Sequence, residues 1–218
     1  MKTYYGDREK CYGCYRPKSS CMCQHCVEIQ TQSKFIILMH PKEFKKVKNN
    51  TGRFTHLSLP NSELFVGIDF SDHARINAII DSHESYILFP SQDAINLTYE
   101  RPKPSSKLAI FLIDATWACA KKIFTASRNL QRVAHMSFET TKESAYEIKV
   151  QPQAHFLSTI ESTQTVLELL HKWEFEQLDE KKLAAFLSPF HAMIAYQKEL
   201  INNPKTNAVR FKKHNKTK

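Results

Sequence analysis

The chain has 218 residues, 42% of them hydrophobic, and a formal net charge of +9. That length suits one ordinary domain with a small appendage, and that composition is enough for a real core. No stretch approaches the ~20 apolar residues that span a bilayer, and the opening MKTYYGDREK has no apolar signal-peptide core, so a soluble, cytoplasmic protein is expected.

Residues 1–30 are polar and cysteine-rich, with little to bury. Five of the six cysteines fall within residues 11–26, spaced Cys11-x2-Cys14-x6-Cys21-x-Cys23-x2-Cys26. In a cytosolic chain such clustering reads as metal binding, not as disulfides. Four thiolates close a tetrahedral zinc site, which with no open position is structural. Four cysteines also suit an iron–sulfur cluster, and Cys26 or His25 is an alternative fourth ligand.

Phe35 begins a different pattern. FIILM (35–39) is a buried-strand run that stops at His40-Pro41, because proline biases the residue before it away from helix. ELFVGI (63–68), YILF (86–89), LAIFLI (108–113) and YEIKV (146–150) are further strands. Helix-compatible stretches lie between them, including 71–82 and 116–129. Strands alternating with helices predict an α/β fold with a largely parallel sheet.

The last third is helical. Ser158 and Glu161 have the S-x-x-E form of a capping box, followed by an apolar face of Ile160, Val166, Leu167, Leu170 and Trp173. A second helix is predicted over about 180–201, kinked or divided by Pro189. Six Lys or Arg and no acid occupy residues 205–218. Removing those six charges leaves +3 elsewhere, so the tail is a place to touch phosphates. Lys42, Lys45, Lys46, Lys48 and Arg53 form a second basic stretch. Cys119 reads as a small buried residue.

The strongest strand ends in Asp114-Ala115-Thr116-Trp117. A carboxylate at the C-terminal end of a buried strand, where a helix begins, sits where open α/β sheets build ligand sites. Trp117 adds a flat apolar surface. Asp114 as a plain helix cap is the competing explanation. No G-x-G-x-x-G is present, which argues against a Rossmann-type cofactor site.

Six segments occur in order: CYGCYRPKSSCMC, His40-Pro41-Lys42-Glu43, Asn50-Thr51-Gly52-Arg53, Phe89-Pro90-Ser91, Asp114-Ala115-Thr116-Trp117 and Leu157-Ser158-Thr159-Ile160-Glu161. Together they resemble the DTW-domain family of tRNA-uridine aminocarboxypropyltransferases, distant relatives of the SPOUT methyltransferases. The resemblance spans about residues 11–172.

It implies a SPOUT-like, trefoil-knotted, mainly parallel sheet flanked by helices. It divides the chain into a four-cysteine zinc module (1–30), a catalytic domain (31–204) and a basic tail (205–218). The implied reaction moves the 3-amino-3-carboxypropyl group of S-adenosylmethionine to N3 of a tRNA uridine. The implied metal ligands are Cys11, Cys14, Cys21 and Cys23. Asp114 is the implied catalytic residue, as general base or as holder of the donor's ammonium. Asp114, Ala115, Thr116, Trp117, Ser158, Thr159 and Glu161 are the implied donor-binding residues.

The chain departs from the family pattern at three places. Ala115 stands for the usual glycine, so that turn must avoid positive φ. Ser162 replaces an alanine, and Lys149 replaces an arginine. Rival readings are an RNA methyltransferase using the same donor and a non-catalytic zinc-containing RNA-binding protein.

Overall fold

The computed structural model describes residues 9–46, 49–103, 107–141, 144–145 and 157–203. The YEIKV segment, with Lys149, and the basic tail lie outside the described residues.

Six strands form one sheet: β1 (Lys34–Met39), β2 (Ser62–Val66), β3 (Glu84–Leu88), β4 (Ile95–Asn96), β5 (Leu108–Asp114) and β6 (Ala134–Ser137). Their spatial order is β2-β1-β5-β3-β6-β4. Every pairing is parallel, as the alternation of strands and helices predicts. In the register of β1 on β5, Met39 lies opposite Asp114.

β1 and β5 read as unbroken apolar runs because both faces of the sheet are covered. Phe35, Ile37, Ile110 and Leu112 point into one core with Ile160, Leu167 and Phe190. Ile36, Leu38, Ala109 and Phe111 point into the other with Ile76 and Ile123. Helices α3 (Ala74–Ser82) and α4 (Trp117–Ala126) therefore cover one face. Helices α2 (Gly52–Ser58), α5 (Thr159–Lys172) and α7 (Ser188–Asn202) cover the opposite face. Fully burying a side chain such as Phe35 or Phe111 contributes about 1.5–3 kcal/mol.

The helix ends carry their own explanations. The S-x-x-E pattern is a complete capping box at the start of α5. α6 (Glu180–Ala184) starts at Asp179, whose carboxylate accepts the N–H groups of Lys181 and Lys182 at 2.9 and 3.1 Å. Pro189 divides the predicted 180–201 helix as expected, and sits in the first turn of α7, where its missing N–H costs nothing. The short α1 (Pro41–Lys46) also begins on a proline.

Residues 9–30 bury more than their composition suggests. Cys14, Met22 and Ile29 lie in the main core. Further along, the buried Glu176 accepts the N–H groups of Gln32 and Ser33 at 2.8 and 2.7 Å. That carboxylate ties the α5–α6 connection to the chain entering β1. Among the described residues no helix is long and apolar enough to cross a membrane.

Candidate active site

The C-terminal ends of β5, β3 and β6 open onto a cavity of about 990 Å³. Asp114, Trp117, Phe89, Asn50, Ser158 and Thr159 are among the residues lining it. Five of the six sequence segments thus converge: the strand-end Asp114–Trp117 string, Phe89-Pro90 after β3, the start of α5, Asn50-Thr51 ahead of α2, and Glu43 of the His40–Glu43 segment.

Asp114 is 4% exposed. The Thr159 hydroxyl donates to its Oδ1 at 2.7 Å, and the Asn50 amide donates to its Oδ2. Asp114 is not a helix cap: Thr116 occupies the N-cap position of α4. The turn after β5 avoids positive φ, found among described non-glycine residues only at Tyr15 and Glu174. Ala115 therefore replaces the family glycine without strain.

Gly52 explains how α2 comes so close. A Cβ on Gly52 would lie 2.6 Å from Asp114 Cγ and 2.7 Å from Oδ2. Only glycine lets the first turn of α2 press against that carboxylate. Asn50 joins the two: its Oδ1 accepts the Arg53 N–H at 3.1 Å while its amide reaches Asp114.

The expected cation at Arg53 has a different job. Its guanidinium is buried, wedged in the corner between the Tyr15 ring (4.1 Å) and the Phe44 ring (4.3 Å). Each such contact is worth roughly 1–2 kcal/mol once partly desolvated. Burial pushes the Arg53 pKa below its ordinary value, opposed by Tyr15 and Asp114. Arg53 is a structural cation, and Lys42 and Lys45 keep their exposure.

His40 is likewise buried rather than a solvated turn residue. Burial, followed by the charges of Lys42 and Lys122, lowers its pKa. Its Nδ1 accepts the Lys42 N–H at 3.1 Å, which fits a neutral ring.

Glu161 is occupied by the cap. Its Oε2 accepts the Ser158 N–H and hydroxyl at 2.8 and 2.6 Å and the Ser144 hydroxyl at 2.8 Å. Its Oε1 accepts the Ala145 N–H at 2.8 Å. The first turn of α5, with the positive end of its dipole, borders the cavity through Ser158 and Thr159.

Trp117 is 40% exposed and stacks on Phe89 at 5.3 Å and 12°. Phe89 stacks in turn on Phe124 at 4.9 Å and 14°. The indole is thus the outermost of three near-parallel rings. Cys119, two residues on in the same turn of α4, is half-buried rather than buried.

The thiols of Cys11, Cys14, Cys21 and Cys23 all lie within 4.8 Å of one another. Cys11 and Cys23 are 3.6 Å apart, and Cys14 and Cys21 are 3.8 Å apart. A tetrahedron with metal–sulfur bonds of ~2.3 Å has edges of about 3.8 Å. The four cysteines can therefore hold a metal ion. The Cys14 backbone N–H, with that of Gly13, holds the Cys11 thiol down to about 6 against the effect of burial. Cys26 and His25 stand outside the group, and burial pushes the Cys26 thiol up to about 11.

Asn50 and Gly52 were within reach of the sequence as part of the Asn50–Arg53 segment. Their partnership with Asp114 was not, because 64 residues separate Asn50 from Asp114.

The DTW domain family model matches residues 8–198. The chain is 31% identical over 199 residues to tRNA-uridine aminocarboxypropyltransferase 2 of Drosophila melanogaster, covering 87% of this chain and 75% of that protein. It is 28% identical over 199 residues to the Macaca fascicularis protein of the same name, and 27% over 196 residues to that of Mus musculus. Each of those matches covers 87% of this chain and 64% of the relative. No solved structure matches.

Proposed function

This chain belongs to the DTW-domain family, and on that footing we propose that it is a tRNA-uridine aminocarboxypropyltransferase. It joins the 3-amino-3-carboxypropyl group of S-adenosylmethionine to N3 of a tRNA uridine. The observation that carries this reading is Asp114, held by Asn50 and Thr159 at the wall of the strand-end cavity.

When bound, S-adenosylmethionine supplies an electrophilic methylene beside a sulfonium, whose bond to sulfur breaks as the N3–C bond forms. The chain's own residues do the rest. Asp114 is fixed in place through both of its oxygens, and its carboxylate offers a negative charge to a cation. Its role is to fix the donor's ammonium. The first-turn backbone N–H groups of α5, beginning with Thr159 beside the Ser158 cap, receive the donor's carboxylate at the positive end of the helix. Glu161 acts through them by building the cap. Ala115, Thr116 and Trp117 form the wall along the donor. Gripping the ammonium and the carboxylate at the far end of the amino-acid arm fixes its course, presents the methylene next to sulfur, rather than the methyl, to the nucleophile, and so selects the reaction by orientation.

Uridine N3 lies on the Watson–Crick edge, so the base must be unpaired or flipped to react, and its N3 proton passes to solvent water as the bond forms. Lys42, Lys45 and the 205–218 tail hold the tRNA backbone, a contact that weakens as salt rises. The four cysteines hold a structural zinc, away from the reacting centre. We assign 1–30 as the zinc module, 31–204 as the catalytic domain and 205–218 as the tail, in a cytoplasmic protein. The all-parallel sheet supports a SPOUT relationship, with a trefoil knot at the donor site.

The test is incubation with bulk tRNA and S-adenosylmethionine, then mass spectrometry of the nucleosides. An aminocarboxypropyl increment on uridine is expected. A methyl increment would establish a methyltransferase, and an unmodified tRNA pool with no donor binding would leave an RNA-binding protein.

A further inference from the structure

Tyr15 follows the second cysteine of the Cys11-x2-Cys14 knuckle and has a φ of 57°. Glycine takes that conformation freely, and a tyrosine does not. Its backbone is satisfied locally, since the Tyr15 N–H donates to the Cys11 carbonyl at 2.8 Å. What glycine could not provide is the ring, which lies 4.1 Å from the Arg53 guanidinium carbon.

From Arg53 a continuous path leads to the cavity. Its N–H donates to Asn50 Oδ1 at 3.1 Å, and the Asn50 amide donates to Asp114. A second strut runs in parallel. The buried Arg16 donates from Nε to the Ser20 carbonyl at 2.8 Å and from Nη1 to Asn49 Oδ1 at 3.4 Å. Both struts start among the metal-binding cysteines and end on residues 49–53. That segment carries Asn50, whose amide donates to Asp114, and Gly52, which leaves room for the Asp114 carboxylate.

We propose that Tyr15 and Arg53 are positioning residues, through which the four-cysteine module sets the place of Asn50 and hence of the Asp114 carboxylate. The module is thereby part of the active-site scaffold and not only a staple for the amino-terminal segment. The functional consequence rests on the donor-binding role given to Asp114 above; the mechanical link does not.

Two full-length variants, Tyr15→Gly and Tyr15→Phe, test it by three readouts: bound zinc, amide exchange at Arg53 by NMR, and the Kd for S-adenosylmethionine. Tyr15→Gly should keep its zinc and its thermal midpoint, because glycine relaxes the knuckle. Its Arg53 amide should exchange about tenfold faster, and its donor Kd should rise about five- to tenfold, the size of a lost cation–π contact. Tyr15→Phe retains the ring and should match the wild type. A purely local role for Tyr15 predicts no change in exchange or Kd in Tyr15→Gly, and that result overturns the proposal. Should Tyr15→Gly lose zinc, Arg53→Met, which leaves every cysteine in place, decides instead: unchanged donor affinity there also overturns it. A wild type that fails to bind the donor would strike the proposed function, while the exchange rates would still decide the link.

Discussion

Asp114→Asn is the most informative single substitution. Asparagine keeps the shape of aspartate. Its carbonyl can accept from the Asn50 amide, and its own amide can donate to the Thr159 hydroxyl, which accepts as readily as it donates. Both buried partners stay satisfied, so the fold should lose less than about 1 kcal/mol. Asp114→Ala would instead strand two buried donors at about 1–3 kcal/mol each and confuse stability with function. What Asp114→Asn removes is the negative charge toward the donor's ammonium. A charge-assisted hydrogen bond is worth about 1.5–3 kcal/mol, so the donor Kd should rise roughly 10- to 150-fold. Calorimetric titration of S-adenosylmethionine into the variant, beside steady-state kinetics on tRNA, reads both quantities. An unchanged Kd with a collapsed kcat would refute the anchoring role and make Asp114 the general base.

Three further outcomes are expected. Gly52→Ala places a methyl 2.6 Å from Asp114 Cγ, which should cost roughly 1–3 kcal/mol in denaturant unfolding and weaken donor binding; stability equal to the wild type would show that the carboxylate moves aside freely. Elemental analysis should find zinc in the wild type and none in Cys14→Ser, which should also lose fold stability, since such sites contribute folding energy directly; full metal content in the variant would refute the ligand assignment. Glu63, bonded by Arg75 at 2.6 Å and by Lys34 at 3.0 Å, is held down to about 2. Its folded pKa lies below the unfolded value of about 4.3, so the stabilisation is complete above that pH and fades as pH falls toward 2. Glu63→Gln should therefore flatten the stability slope across that window, and an unaltered slope in acid titrations would contradict the pairing.

The strands that position the site could be read from the sequence because they are buried on both faces. FIILM and LAIFLI have no polar residue to confuse the pattern, and each falls within a residue of its observed bounds. β4 and β6 left no such trace. One has two residues, and the other, AHMS, carries a histidine that is only half-buried. α1 was hidden for another reason: six residues starting on proline look like a turn. At the site, strand-end Asp114 and the α5 cap announced themselves through local rules, a carboxylate where a helix begins and an S-x-x-E. Arg53 did not, because nothing local distinguishes a cation that meets an anion from one that lodges between Tyr15 and Phe44. Composition also misled at the amino terminus. A segment poor in apolar residues still buries Cys14, Met22 and Ile29 by leaning on a core made elsewhere.

The strand order has a consequence for synthesis. β5 lies between β1 and β3, so neither of those strands has its inner neighbour until residues 108–114 leave the ribosome. Until then both present naked hydrogen-bonding edges, the kind that recruit other chains. A nascent polypeptide stalled before Leu108 would be sticky in a way the finished molecule is not, and its safety depends on how quickly translation delivers one seven-residue strand.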